Sequence, residues 1–298
     1  MDKEQIINLV VAAVISGTVL NGIITHLLYS NKLKQAELTR SLGFDSLSSE
    51  IIILNEFDEN KKIDFPIILK PAACGEGSKD DIVICRNMSD MTTSIDVLKK
   101  KNYRRILCQK YLENRTEIIA YGAVSKKFDL VSYTVLKNIR QWPESYGVGS
   151  YGVLVLEQHI QEFVHKFYHA IMQFGYDGPL DTDIFMDNDT GIIYVSEYNW
   201  RPGGRNYTSL GTEVYSIVLW YLVYNNIDIS KYKVVNKIGG YTMNDSTDFN
   251  HVINGKITLK QWKNEFKKSI ARALFFKKDI IPAIIPVVSM IKRWIKKR

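Results

Sequence analysis

Residues 178–205, GPLDTDIFMDNDTGIIYVSEYNWRPGGR, constrain the fold of this chain more than any other stretch. LDTDIFMDN alternates polar and apolar residues, and IIYVSEYNW does the same on the far side of a short polar break, which is the pattern of two half-buried strands. Asp189, Thr190 and Gly191 supply a three-residue hairpin loop with glycine in the left-handed slot. That loop sets Asp183 opposite Glu197 and Asp181 opposite Asn199, and the two-residue side-chain period puts all four on one face together with Arg201. Leu180, Ile184, Met186, Tyr194, Tyr198 and Trp200 fall on the other face.

The plain reading of such a face is the solvated side of an antiparallel sheet. Like charges directly across a ladder count against it, because Asp183 facing Glu197 destabilises the pair unless a cation lies between them. Carboxylates plus an amide form an oxygen-only donor set that suits Mg²⁺, an ion that keeps open positions for phosphate oxygens. Asp183, Glu197 and Asn199 are the candidate metal ligands.

The net charge of +7 and a sequence pI near 9.0 favour an anionic partner: a nucleotide, nucleic acid or a membrane surface. Much of the excess lies in residues 256–298, where lysines alternate with aromatic and aliphatic residues. That composition suits either an interfacial segment on anionic lipid or a C-terminal helix packed on the domain with a solvated basic end. No nucleic-acid-binding motif interleaves the lysines, so no nucleic acid is expected. Cys74, Cys85 and Cys108 have no metal-type spacing and are odd in number, which points to a reducing compartment.

Residues 6–29 carry no formally charged side chain and are long enough to cross a bilayer as a helix. Lys32, Lys34 and Arg40 follow them, so the positive-inside rule predicts a single-pass anchor with the rest of the chain on the cytoplasmic face; the alternative is a buried core helix of a cytoplasmic protein. After a short amphipathic helix stopped by Gly43, FPIILK (65–70) reads as a buried strand ending on Lys70. Pro71 ends it, and a small-residue loop containing Gly75, Gly77 and Ser78 follows, where backbone amides can approach a phosphate. Residues 104–112, 117–124 and 130–136 read as strands, 137–151 as a polar glycine-bearing loop, and 157–174 as a helix with Ile160, Phe163, Val164, Phe167 and Ile171 on one stripe. His165 and His169 stand one helical turn apart, but no third ligand accompanies them, so they read as surface or packing residues.

Taken together, these segments resemble the ATP-grasp superfamily of carboxylate–amine ligases, over roughly residues 31–240. The order is Lys-Pro followed by a Gly/Ser loop (70–78), a strand running into a hinge (108–112), an acidic residue (Glu117), then DxF and ExNxR on paired strands. KNIRQWP followed by GVGSYG (137–152) further resembles the carbamoyl-phosphate-synthase-like and D-aspartate-ligase-like branch.

The resemblance implies an α/β (α+β) fold of two subdomains with antiparallel sheets. The expected boundaries are 1–30 for the anchor, 31–107 for the subdomain with the phosphate loop, 108–240 for the subdomain with the Mg-ATP site, and 241–298 for a basic tail. By the same resemblance Lys70 would bind ATP phosphates under a lid of Gly75, Gly77 and Ser78. Gln109, Lys110, Tyr111 and Leu112 would line the adenine pocket, and Glu117 would hold the ribose hydroxyls. Lys137 or Arg140 would reach the γ-phosphate, Asp183, Glu197 and Asn199 would hold Mg²⁺ or Mn²⁺, and Arg201 would stabilise the acyl phosphate and the tetrahedral intermediate. The implied activity joins a carboxylate to an amine with release of ADP and phosphate, on small-molecule substrates. Members of the family usually carry an N-terminal α/β domain before the match, where this chain has about thirty residues. A homodimer or a partner chain is therefore expected to complete the acceptor site, and the alternative function is an ATP-binding regulatory or scaffold protein at the membrane. Trp200 stands where the family's ExNPR strand usually has proline.

Overall fold

The computed structural model describes residues 31–72, 81–144, 147–275 and 281–297. The stretch expected to span a membrane, 6–29, and the loop bearing Gly75, Gly77 and Ser78 lie outside the described residues. Among the described residues no helix is long and apolar enough to cross a membrane, so the structure lends the expected span no support.

Asn31 starts the first helix, α1 (Lys32–Ser41), by accepting hydrogen bonds from the amides of Leu33 and Lys34. Gly43, at φ +84, turns the chain after it. Strands β1 (Ser49–Ile53), β2 (Ile67–Lys70), β3 (Val83–Cys85) and β4 (Arg105–Lys110) then form a four-stranded antiparallel sheet in the order β1-β4-β2-β3. Helix α2 (Met88–Lys100), capped by Asn87, packs Met91, Ile95 and Leu98 against Ile52, Leu69 and Ile106 of that sheet. The Asn87 side chain accepts from the Asp90 amide, and Met88 and Met91 are already in the first turn.

The second sheet has seven strands in the order β11-β10-β7-β6-β5-β8-β9. Its strands from β7 to the β9 edge are β5 (Arg115–Ser125), β6 (Leu130–Trp142), β7 (Val148–Leu154), β8 (Gly178–Asp187) and β9 (Ile193–Asn199). Helix α3 (Gln158–Phe174) covers one face with Ile160, Val164, Phe167 and Ile171, the predicted stripe, against Ile118, Val135, Leu180 and Ile184. The expected loop over 137–151 is instead largely strand, the β6–β7 hairpin. Glycines that suggest a loop here serve close packing: a Cβ at Gly149 would lie 1.8 Å from Arg205 Nη2.

Beyond helix α4 (Ser216–Tyr224), the segment read as a tail completes the sheet. Strand β10 (Tyr241–Met243) pairs with β7 antiparallel, and β11 (Ser269–Arg272) pairs with β10 in parallel. Helices α5 (Asp245–Ile253), α6 (Leu259–Lys268) and α7 (Ile281–Lys297) close a core around Tyr151, Met243, Phe249, Trp262 and Met290. The expected boundary at 240 thus cuts through a sheet, and the one at 107 falls inside β4.

The central hairpin reaches its register by a different route from the one the loop predicts. Asp187 pairs with Ile192, so the loop has four residues, 188–191. The Asp187 carboxylate accepts from the Asp189 amide at 2.9 Å and the Thr190 hydroxyl at 2.8 Å, with Gly191 at φ +74. That pairing aligns Ile184 with Val195, one residue off the expected register. A bulge at Ser196 then brings Asp183 opposite Glu197 and Asp181 opposite Asn199, as expected. Its other consequence is a correction: Val195, not Tyr194, enters the core beside Tyr198 and Trp200.

Candidate active site

On the face of the second sheet away from α3, register arranges side chains in rows. Leu136, Ile119, Asp183 and Glu197 form one row across β6, β5, β8 and β9; Thr134, Tyr121, Asp181 and Asn199 form the next. Tyr121, Leu136, Leu154 and Ile119 make a small apolar floor. Glu117 projects beside it, one period up β5.

Two lysines from outside the sheet act on the carboxylates. Lys32, in the first turn of α1, lies 3.3 Å from Glu197. Helix α1 is held there by Gln35, whose side chain donates to the Tyr198 carbonyl at 2.7 Å and accepts from its amide at 3.3 Å. Lys70 ends β2 of the first sheet, is buried, and donates to Gln109 Oε1 at 2.8 Å; Gln109 in turn donates to Ser49 Oγ. Burial and the nearby Lys32 lower the Lys70 pKa to about 8, against the pull of Glu197 and Asp183. Burial and the carboxylates of Asp181, Glu197 and Glu117 push Asp183 up to about 8. Asp181 rises to about 6 by burial, with Arg201 and Arg205 pulling it down. At Asp183, burial and three neighbouring carboxylates act against the single pull of Lys70, a local excess of negative charge that a divalent cation relieves. Among the described residues no three His, Cys, Asp or Glu side chains converge as a metal cluster; the candidate set is two carboxylates and the Asn199 amide, with the amide as third donor.

The hinge residues divide. The Tyr111 amide bonds the Pro66 carbonyl, and its ring lies 4.6 Å from the Arg115 guanidinium, which also covers Phe185. Arg115 donates to the Leu112 carbonyl at 2.7 Å and to Glu117 Oε1 at 2.7 Å. Lys110 turns its side chain away, to Asp64. Arg115 is a site residue the sequence reading missed, although its place two residues before Glu117 on one strand was a usable sign.

Two predicted phosphate-binding residues lie elsewhere. Lys137 belongs to the parity of β6 that faces α3, since Tyr133 and Val135 enter the core there, and it pairs with Glu157 at 2.5 Å. Arg140 is held by Asp248 (2.9 Å) and Glu265 (2.5 Å) and lies over Tyr151. Burial opposes its charge, but the bonds to those two carboxylates outweigh it and raise its pKa. Neither is among the main charges acting on Lys70, Asp181 or Asp183. His165 and His169 pack near Tyr133 and each other.

No protein-family model matches the chain. A curated carbamoyl-phosphate synthase of Methanobrevibacter smithii is 23% identical over 192 residues, covering 62% of this chain and 49% of that protein. The ADP complex of an N5-carboxyaminoimidazole ribonucleotide synthetase superposes with a TM-score of 0.60 over 90% of this chain and 72% of the other, at 15% identity. This chain has the ATP-grasp fold. The biotin carboxylase domain of Hydrogenobacter thermophilus 2-oxoglutarate carboxylase, solved with MgADP and bicarbonate, also shares the ATP-grasp arrangement. Its TM-score is 0.56 at 19% identity, over 72% of this chain and 49% of that one. The chain thus spans about half the length of the curated relative it matches.

Beside these carboxylates, the segment after Arg201 adds a residue the motif does not mark. Arg205 is buried; its Nη2 donates to Asn138 Oδ1 at 2.6 Å, and its guanidinium also meets the Tyr207 phenol. The hydroxyls of Tyr121 and Thr134, and of Tyr207 and Thr242, are buried in neighbouring pairs, and Asp181 Oδ1 is buried without a hydrogen-bond partner. Gly203 allows the approach, since a Cβ there would lie 2.3 Å from the Asp181 carboxyl carbon. Arg201 itself is exposed and bonds only the Pro202 carbonyl among the hydrogen bonds found.

Proposed function

We propose that the chain is an ATP-dependent carboxylate–amine ligase that forms an amide or peptide-like bond through an acyl phosphate. The observation that carries this reading is the meeting of Lys70 from one sheet with Asp183 and Glu197 from the other, close enough for both carboxylates to pull on its ammonium. Phosphoryl transfer to a carboxylate brings two anions together, so its catalysis is mostly cation placement and positioning. Lys70 would bind ATP phosphates, with Gln109 fixing its ammonium. The apolar floor of Ile119, Tyr121, Leu136 and Leu154 would carry the purine, beside the hinge at Tyr111 and Leu112, and Glu117 would take the ribose. Asp183, Glu197 and Asn199 fit Mg²⁺ as hard oxygen donors, and the ion would neutralise phosphate charge in line with its ordinary role.

The substrate carboxylate oxygen attacks the γ-phosphorus and ADP leaves; the amine then attacks the acyl carbon, loses a proton, and phosphate leaves. Arg201 and Arg205 flank Asp181, two guanidiniums against one carboxylate, so one positive charge remains to receive a monoanionic acceptor. Arg205, buried and held by Asn138 beside Asp181, would be the group that orients that acceptor.

The test is nucleotide product analysis with Mg-ATP and a pooled set of amino acids. Amino-acid-dependent release of ADP and phosphate, lost on Glu197→Gln, is the expected result. AMP and pyrophosphate as products, or turnover unaffected by Glu197→Gln, would overturn the reading.

A further inference from the structure

Helix α7 is apolar on the side it does not need for packing. It seats Ala283 and Met290 in the core, with Met290 against the cluster of Phe249, Val252 and Trp262. At about 100° per residue, Ile284, Ile285, Val288, Ile291 and Ile295 fall within an arc of roughly 120° opposite that packed side. All five are exposed, from 46% at Val288 to 81% at Ile285. Lys292 lies inside the same arc and Lys296 at its border, both exposed, and α7 contains no acidic residue.

We infer that this face of α7 lies on an anionic lipid surface. Large aliphatic side chains held in water at this exposure mark a contact surface, and the charge decides between occupants. A second copy would meet the face through a two-fold contact that crowds the same lysines from both chains with no carboxylate on either helix to pair them. Anionic headgroups complement Lys292 and Lys296 while the aliphatic stripe enters the acyl boundary, the mode of an interfacial helix. At about 1.5 Å per residue, its seventeen residues reach about 25 Å, short of a hydrocarbon core, and Pro286 interrupts the helix, so it lies on the surface and does not cross.

The test reads α7 locally in the full chain, so that attachment through any other segment does not obscure it. A nitroxide is placed at Val288→Cys with Cys74→Ser, since Cys85 and Cys108 are buried. Vesicles of phosphatidylcholine alone and of phosphatidylcholine with phosphatidylglycerol are compared by accessibility to oxygen and to a water-soluble nickel complex. The expected result is lipid immersion on phosphatidylglycerol vesicles only, weakened on the order of tenfold by Lys292→Gln with Lys296→Gln and by added salt. Ile285→Asp should abolish it without changing the melting temperature. A label that stays water-accessible on both vesicle types overturns the inference. Concentration-dependent immobilisation without lipid would overturn it in favour of a second copy.

Discussion

Asp183 and Lys70 carry opposite charges in one buried cleft, and each is shifted toward its neutral form. For Asp183 the folded pKa of about 8 lies above the ordinary 3.8. Between those values the folded protein holds a proton that the unfolded chain has released, so this group's contribution is fully present below the lower value and is lost as pH rises to the upper one. Lys70 acts in a separate window: its depressed pKa removes stability as pH falls from 10.5 to about 8. Metal-free protein should therefore melt progressively lower from about pH 5 to about pH 8 through Asp183, and Mg²⁺ with ADP should reverse that loss. Asp183→Asn should flatten the profile, stabilise the metal-free protein by on the order of 1–2 kcal/mol at neutral pH, and abolish Mg-ATP turnover. Calorimetric melting across that range, with and without Mg-ADP, measures both; an unchanged slope in the variant would remove Asp183 as its source.

Strands β6 and β7 and helices α5 and α6 are joined by Arg140, which links Asp248 of α5 and Glu265 of α6 to the sheet. Asp248 is fully buried and also accepts from Ser150 at 2.7 Å, so removing the guanidinium leaves a buried carboxylate without its cation. Arg140→Ala should cost about 3–5 kcal/mol. Lys137→Ala breaks a partly exposed pair with Glu157 and should cost less than about 1 kcal/mol. Its ADP release should stay near the parent's. Denaturant melts paired with ATP turnover separate the cases: a stable but inactive Lys137→Ala would return that lysine to the phosphate site. The sequence placed both residues there because KNIRQWP matches a motif, yet alternation along β6 already put Lys137 on the opposite parity from Asn138.

The candidate site lies between the two sheets, and the chain after residue 240 is part of the second one. Strands β10 and β11 extend its edge, and Tyr151 of β7 is buried in a cluster with Met243, Phe249 and Trp262. A chain ending at 240, the boundary its composition suggests, should fail to give a cooperative melt or bind Mg-ADP. A soluble, ADP-binding 1–240 fragment would show that the segment is dispensable. Circular dichroism melts with fluorescent-nucleotide titration decide between them. The same segment carries α7 and its exposed aliphatic face, so composition that reads as a tail divides into a structural half and a surface.

What the sequence by itself determined was local. Alternation in 178–187 and 193–199 announced the hairpin, the stripe on α3 followed from its 3.6-residue period, and Lys70 stood out as a charge at the end of a buried strand. Even the facing of Asp183 and Glu197 was legible, although the four-residue loop and the Ser196 bulge each shift the ladder by one residue and together cancel. Tertiary structure decided where long side chains find partners. Arg140 meets Asp248 across 108 positions and Arg205 meets Asn138 across 67, and no period or motif encodes such pairs. It also decided that short segments such as 241–243 and 269–272 become strands, since three or four residues carry too little pattern of their own and acquire it only from the edge they extend.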